Sequence, residues 1–394
     1  MTGTLPPSQA IAKVWRFVRI YGPGRTWFKV AARLRLPMSA GSLRLRRSTP
    51  DIGLVGCGQF AFATIGYFLS RRFGARIAAC HDIDPARAQS LARALRVGAV
   101  CDSAAAVAAV PGLRTLYVAS NHASHAEYAG MALARGLDVV VEKPVAVTEG
   151  QLAALVAAVR TSKGRVFAGY NRPFAGATRA LRRLVTIEAE GGMTLQCFVT
   201  GHRLAAEHWY RRPDEGTRIC GNVGHWLDLA VHLWSWRGLP ERLDISLTWA
   251  DDAEPDDNLH VAIRSDRGDL FGVTLTSRSE PFEGIRETIS FQHGETIAQI
   301  DDFRRLDVWS GPRVVRRRFW PKDVGHRAAI LQPFAAPGGF ARDWNEVVSS
   351  TLLMLHIAQM VRTGQRHSSF SFGESRRRLD ANISAATEAA SERP

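Results

Sequence analysis

The sequence predicts an α/β protein of two domains: a doubly wound parallel sheet, then an α+β domain with a mostly antiparallel sheet. Three observations carry this. The chain has 394 residues, more than one compact core uses at roughly 150 residues per domain. Between Asp51 and Asn171 short apolar runs alternate with helix-length segments, and strands separated by helices imply crossover connections and a parallel sheet. Beyond Asn171 the strand-like runs follow one another directly, which points to antiparallel pairing.

Residues 1–50 come first and stand apart. They hold ten Lys/Arg and no Asp or Glu, so ten of the fourteen units of net charge lie there and the remaining residues are nearly neutral. That balance argues against nucleic acid as a partner of the main body. Ile11, Val14, Trp15, Val18 and Tyr21 recur at helical spacing behind Ser8, a candidate cap, with Lys13, Arg16 and Arg19 between them. Tyr21-Gly-Pro-Gly breaks the pattern, and a second basic amphipathic stretch runs from Thr26 to Leu36. Such an arm suits an anionic membrane surface, a transit peptide, or packing on its own protein or a neighbouring subunit.

In the first domain, 51–171, the expected strands are 52–55, 76–80, 115–119, 139–141 and 166–169, with helices over 61–72, 85–95, 125–135 and 148–162. In the second, 172–394, one helix over 222–236 precedes strands at 243–249, 259–264, 270–276, 287–291, 296–300 and 308–318, and two helices near 344–362 and 374–390 follow. No run reaches the ~18 apolar residues that span a bilayer. Five dispersed cysteines without a C-x-x-C pair exclude a disulfide framework, give no zinc signature and fit a reducing cytoplasm.

The first strand runs into Gly56-Cys57-Gly58-Gln59-Phe60-Ala61, the G-x-G-x-x-A turn that brings a pyrophosphate against a helix N-terminus. Gly56 permits the tight turn, Gly58 lets the backbone approach the anion, and Ala61 lets the helix pack close. Asp82 ends the next strand, 26 residues on. A carboxylate there accepts from ribose hydroxyls and repels a 2′-phosphate, favouring NAD over NADP, although Arg87 nearby weakens the preference. Two later strand ends, Ser120-Asn121-His122-Ala123-Ser124-His125 and Val141-Glu142-Lys143-Pro144, face the same crevice. A lysine ending a buried strand needs a charged partner or a task, and Pro144 keeps Lys143 out of the helical region.

Within 224–234 every residue is apolar except Gly224, His225, Asp228 and His232. The three polar side chains at i, i+3 and i+7 share one stripe. Asp with two His suits proton handling, with Asp228 orienting His232. Metal binding lacks cysteines at matching spacing, and satisfied core histidines are the alternative.

Together Gly56–Ala61, Glu142-Lys143-Pro144, Gly169-Tyr170-Asn171-Arg172 and Asp228-x-x-x-His232 resemble the glucose–fructose oxidoreductase / inositol dehydrogenase / MocA (Gfo/Idh/MocA) family over roughly residues 51–236, and more loosely beyond. The resemblance implies a Rossmann domain and a C-terminal domain whose large open sheet often mediates homo-oligomers. It also implies NAD or NADP, and sugar, cyclitol or nucleotide-sugar substrates. By position, Lys143 corresponds to the lysine touching substrate and cofactor, His232 to the usual acid/base, Asp228 to the aspartate one turn earlier, and His125 to a histidine near the nicotinamide. The form Gly-x-x-x-His-x-x-Asp with Arg218 upstream resembles a subgroup of surface-polysaccharide synthesis, and His225 shares or replaces the role of His232 there.

The expected activity is hydride transfer between nicotinamide and a carbinol carbon, with His232 or His225 moving the hydroxyl proton, Asp228 supporting the imidazole and Lys143 holding the oxygen. The expected cofactor contacts are Gly56, Gly58, Gln59, Phe60, Ala61, Asp82, Ser120, Asn121, His125, Glu142 and Lys143. Tyr170, Asn171, Arg172 and Arg218 are candidates for sugar or phosphate contacts. The rivals are a lyase or glycosidase that retains its NAD, and a redox-inactive scaffold tied to a membrane by residues 1–50.

Overall fold

The computed structural model describes residues 7–36, 49–188, 190–336 and 340–391. Arg44, Arg46 and Arg47 of the basic arm lie outside them.

The two basic stretches of the arm form helices α1 (Pro7–Tyr21) and α2 (Pro23–Leu34). Pro23 opens α2, where its missing N–H costs nothing, and Arg35 closes it in the left-handed region with its N–H bonded to the Ala31 carbonyl. Their burial differs. Phe28, Ala31 and Ala32 of α2 are buried in the same apolar cluster as Phe62 and Ile65, whereas Ile11, Val14 and Trp15 of α1 are exposed. Self-packing, one of the expected fates of the arm, therefore describes α2 and the last turn of α1, where Ile20 is buried and its carbonyl accepts from the Lys322 N–H at 2.8 Å.

The first sheet follows as β1 (Ile52–Val55), a wide π-helical segment Ala61–Gly66 continuing into α3 (Tyr67–Phe73), β2 (Ile77–His81), α4 (Pro85–Leu95) and β3 (Ala99–Val100). Then come α5 (Ala104–Ala108), β4 (Thr115–Val118), α6 (His125–Ala134), β5 (Asp138–Val141), α7 (Glu149–Thr161) and β6 (Val166–Ala168). Helix starts are set by side chains: Asp84 accepts from the Ala86 N–H, Ser103 from Ala106 and Thr148 from Gln151. All six strands are parallel, in the order β3-β2-β1-β4-β5-β6. The order reverses between β1 and β4, so a crevice opens at their carboxyl ends, where doubly wound sheets bind ligands. The two-residue β3 and the five-residue α5 are too short for the periodicity to show.

After α8 (Gly176–Leu184) the second sheet begins with β7 (Thr194–Thr200), and α9 (Gly224–Ser235) crosses it before β8 (Arg242–Trp249). The sheet goes on through β9 (Leu259–Ser265), β10 (Leu270–Thr276), β11 (Arg286–His293), β12 (Thr296–Asp301), β13 (Arg305–Ser310) and β14 (Arg313–Arg318). Helices α10 (His326–Ile330) and α11 (Trp344–Thr363), strand β15 (His367–Ser371) and helix α12 (Phe372–Ser391) complete the chain. The order is β14-β13-β12-β11-β7-β10-β9-β8-β15. Every pair is antiparallel except β7 with β10.

The single strand expected over 308–318 is a hairpin, because Gly311 takes a positive φ of 52° and turns the chain back. Strand β7 escaped the sequence reading because its outward positions Thr194 and Gln196 dilute the apolar signal. Helix α9 lies on the inner face, with the Trp226 indole N–H donating to Glu287 of β11 at 2.9 Å and Trp234 edge-on to Phe271 of β10. Helix α10 and the turn after it pack on the first sheet: Tyr117 Oη of β4 donates to the Ile330 carbonyl at 2.6 Å and Gln332 Nε2 donates to the carbonyl of Ala168 in β6 at 3.1 Å.

Candidate active site

The Gly-rich turn leaves β1 at Gly56, whose N–H donates to the His81 carbonyl at 2.8 Å. Gly56 has φ +87°, and a Cβ there would sit 2.5 Å from Ser120 N and closer still to the Ala119 carbonyl. Only glycine fits where β1 and β4 part. The Cys57 N–H donates to Asp82 Oδ2 at 2.6 Å and the Asp84 N–H to Asp82 Oδ1 at 2.9 Å. Asp82 thus braces the turn from the end of β2. A Cβ on Gly58 meets nothing within 4 Å, so the space above the turn is open. Beside it Gln59 is exposed, the Phe60 ring lies 5.6 Å from His326, and Ala61 is fully packed. Arg35, past the end of α2, donates to the Cys57 carbonyl at 2.9 Å. It carries no motif, and its approach to the turn was not foreseen.

Lys143 stands at the end of β5, and its peptide bond to Pro144 is cis. Its Nζ donates to the Gly221 carbonyl at 2.7 Å and lies 6.0 Å from the Tyr210 ring. No ion pair of Lys143 occurs among the described residues, so the partner that would make it a mere rim lysine is absent there. Beneath it Glu142 is buried, and a Cβ on Gly169 would press 2.8 Å from its Oε2. Burial pushes this carboxyl up to about 7, against the pull of Lys143.

His125 is not an open contact residue. Its ring is buried, with Nδ1 at 2.8 Å from the Pro144 carbonyl and Nε2 at 3.1 Å from that of Ser120. Burial lowers its pKa to about 4, so it is neutral and donates through one nitrogen at a time. The Pro144 contact ties the start of α6 to the Lys143 turn, and the Ser120 contact ties it to the end of β4. The Ser120 hydroxyl pairs with Ser124 at 2.8 Å, and Asn121 Nδ2 donates to Glu215 Oε1 at 2.6 Å.

That Glu215 contact belongs to a segment the motifs did not reveal. Residues 208–216 cover the end of β4: the His122 ring packs 4.6 Å from Trp209 and 4.7 Å from Tyr210, and its Nδ1 is 2.9 Å from the Glu215 carbonyl. The aromatic run His208-Trp209-Tyr210 is the sequence signal that was passed over.

Helix α9 separates its two histidines. His225 lies in the first turn, its ring 6.4 Å from Tyr170 and its Nδ1 buried without a hydrogen-bond partner. Burial holds it well below the usual histidine range, with the cations of Arg172 and Lys143 adding. His232 lies seven residues on, roughly 10 Å along the axis. There its Nδ1 is 3.1 Å from Glu346 Oε2, and the Trp236 indole N–H donates to its Nε2 at 3.4 Å. Asp228 does not orient it: Oδ1 accepts from Arg342 at 2.7 Å and Ser350 at 2.9 Å. The shared stripe is real, but α11 and the residues before it supply the partners. The structure thus brings His225, and not His232 or Asp228, to the Lys143 end of the helix.

The four expected substrate contacts are spent internally. Tyr170 is buried, its Oη 3.7 Å from Met354 Sδ. Asn171 Nδ2 donates to Val324 at 2.7 Å, and Arg172 forms a buried pair with Glu287 at 3.0 Å while stacking on Trp226. Arg218 is buried against Asp257 at 3.0 Å. The acidic trio Glu254, Asp256 and Asp257 is likewise engaged, by Arg211 and Arg218.

The family model described as an oxidoreductase family with an NAD-binding Rossmann fold matches residues 51–170. This stretch belongs to the Gfo/Idh/MocA family. It is similar to the inositol 2-dehydrogenase of Burkholderia cenocepacia, 32% identical over 139 residues, which is 35% of this chain and 41% of that enzyme. The inositol 2-dehydrogenase of Pseudomonas savastanoi pv. phaseolicola is 32% identical over 136 residues, 34% and 40% of the two chains. The chain thus matches about two-fifths of these relatives' length. In fold the likeness runs further. Levoglucosan dehydrogenase in complex with NADH and L-sorbose superposes with a TM-score of 0.67 at 16% identity, covering 82% of this chain and 99% of that one. An Agrobacterium radiobacter oxidoreductase in complex with NAD+, L-tartaric acid and magnesium gives 0.66 at 17%, covering 83% and 99%. The likeness in fold therefore extends into the second sheet.

Proposed function

We propose that the protein is an NAD-dependent dehydrogenase or reductase acting on a secondary alcohol or ketone of a sugar or cyclitol. The observation that carries this reading is the approach of Lys143 Nζ to the start of α9, beside the unpartnered His225 Nδ1. Open space above Gly58 and the Asp82 carboxylate at the end of β2 fit an adenine dinucleotide, with Gly56, Gln59, Phe60 and Ala61 shaping its turn. When bound, nicotinamide accepts or supplies hydride. Lys143 donates a hydrogen bond to the reacting oxygen and stabilises its developing charge. His225, neutral and with a free ring nitrogen, takes the hydroxyl proton in oxidation and returns it in reduction. His125 and Glu142 position the lysine turn, and Ser120 and Asn121 line the nicotinamide side. The narrower role in surface-polysaccharide synthesis rests on the sequence pattern around His225, and the buried Arg218 adds nothing to it.

A homo-oligomer is part of the same reading. Val314, Trp309, Ile297, Gln292, Thr194 and Leu270 form one cross-strand row on the second sheet, and Val314, Ile297 and Leu270 are exposed. None of the described helices is long and apolar enough to cross a membrane. Peripheral membrane contact falls to the exposed apolar side of α1.

The test is NADH production or consumption with a panel of cyclitols and sugars. Lys143→Met should lower kcat by about 10²–10³ and His225→Asn by about 10²–10⁴, while His232→Asn stays within about fivefold of wild type. Full activity of His225→Asn with an inactive, folded His232→Asn would reverse the base assignment. Bound dinucleotide with no turnover of any polyol would reject the substrate class.

A further inference from the structure

A cavity of about 460 Å³ opens between the α1–α2 turn, α3 and the residues around α10, and no residue of the Gly-rich turn lines it. Its size is that of a small-molecule site. Five cations line it, Arg25, Arg71, Arg72, Lys322 and Arg327, against one acid, Asp323. Lys322 is paired with Asp302 at 2.6 Å, and Asp323 accepts from the N–H groups of Gly325 and Arg327 at the start of α10. Among the described residues Arg25, Arg71, Arg72 and Arg327 have no carboxylate partner.

Arg25 decides the matter. It is 5% exposed, yet its bonds go to neutral groups only, the Lys322 carbonyl and His326 Nδ1, both at 3.3 Å. Its Nε is buried with no acceptor at all. A buried guanidinium without a counter-charge is costly, and the strain is felt nearby. Lys29, on the same helix, is lowered to about 7 by burial and by the cations of Arg25 and Lys322. The Tyr21, Tyr67 and Phe68 rings complete the wall, and Arg25 lies over two of them.

We propose that this cavity binds a phosphorylated ligand, its phosphate held by Arg25, Arg71, Arg72 and Arg327. Guanidinium groups match phosphate oxygens in pairs and at full charge, and the dianion supplies the counter-charge that the fold omits. Two sources share this chemistry. One is a soluble phosphate ester or diphosphate. The other is a lipid headgroup, because exposed Trp320 adjoins the cavity residue Pro321 and α1 exposes Ile11, Val14 and Trp15.

The full chain is titrated calorimetrically with inorganic pyrophosphate and floated with phosphatidylcholine vesicles with and without phosphatidylglycerol. Arg71, Arg72 and Arg327 are exposed, so the triple variant Arg71→Gln, Arg72→Gln, Arg327→Gln should keep the wild-type Tm. The expected result is pyrophosphate binding that weakens at least tenfold in this variant and persists in Gly58→Ala, whose substitution lies in the nucleotide turn. Flotation with anionic vesicles that the triple variant loses assigns the phosphate to lipid, and pyrophosphate binding without flotation assigns it to a soluble ligand. Neither pyrophosphate binding nor flotation, or binding unaffected in the triple variant, or binding lost in Gly58→Ala, overturns the proposal.

Discussion

Substituting alanine at Gly56 and, separately, at Gly58 distinguishes what the turn does for folding from what it does for the dinucleotide. At Gly56 the backbone is left-handed, and the added Cβ would overlap the Ala119–Ser120 peptide. The conformation costs roughly 1–2 kcal/mol for an L-residue and the overlap roughly 1–3 kcal/mol more. Together these lower Tm by roughly 5–15 °C. At Gly58 φ is not positive and the new methyl meets open space. Folding stability should therefore hold or rise by up to about 1 kcal/mol. The same methyl occupies the volume the pyrophosphate needs, so NADH affinity, read by fluorescence or calorimetry, should fall at least tenfold. A Gly58→Ala protein that binds NADH like wild type would refute the location of the dinucleotide. A Gly56→Ala protein of unchanged stability would refute the account of the turn.

Phe28→Ala should destabilise the protein by about 3–5 kcal/mol in urea denaturation, since Phe28 is buried against the first domain, whereas Trp15→Ala, exposed on α1, should leave stability unchanged. Asp82→Ser should raise kcat/KM with NADP relative to NAD at least tenfold, because the carboxylate that repels a 2′-phosphate is gone; an unchanged ratio would assign cofactor choice elsewhere. Glu142 carries a pH signature. Its folded pKa is raised to about 7, so its contribution is fully present below about 4.5, its ordinary value. That contribution is lost as pH rises through 7, an amount on the order of 3 kcal/mol. The stability difference between Glu142→Gln and wild type should therefore grow in the variant's favour from pH 4.5 to 7 and level off above. A pH-independent difference would show that the carboxyl is not buried as described.

The sequence by itself determined the architecture and one wall of the site. Strand–helix alternation, the spacing from Gly56 to Ala61 and the cap residues Asp84 and Thr148 are local signals, set by steric and hydrogen-bonding rules that act within a few residues. They are legible wherever they occur. Periodicity also put His225, Asp228 and His232 on one stripe correctly, but a stripe does not say what packs against each end of it. Only the tertiary structure decided that Arg342 and Glu346 take up Asp228 and His232, while His225 stays at the end of the helix where Lys143 holds the Gly221 carbonyl. The same holds for Tyr170, Asn171, Arg172 and Arg218, polar residues read as contacts with solvent-borne ligand whose partners Met354, Val324, Glu287 and Asp257 lie far along the chain. It holds for the basic arm as well, where α2 buries Phe28, Ala31 and Ala32 while the first half of α1 leaves Ile11, Val14 and Trp15 exposed. Burial and charge pairing between distant segments depend on the whole fold, and no local pattern encodes them.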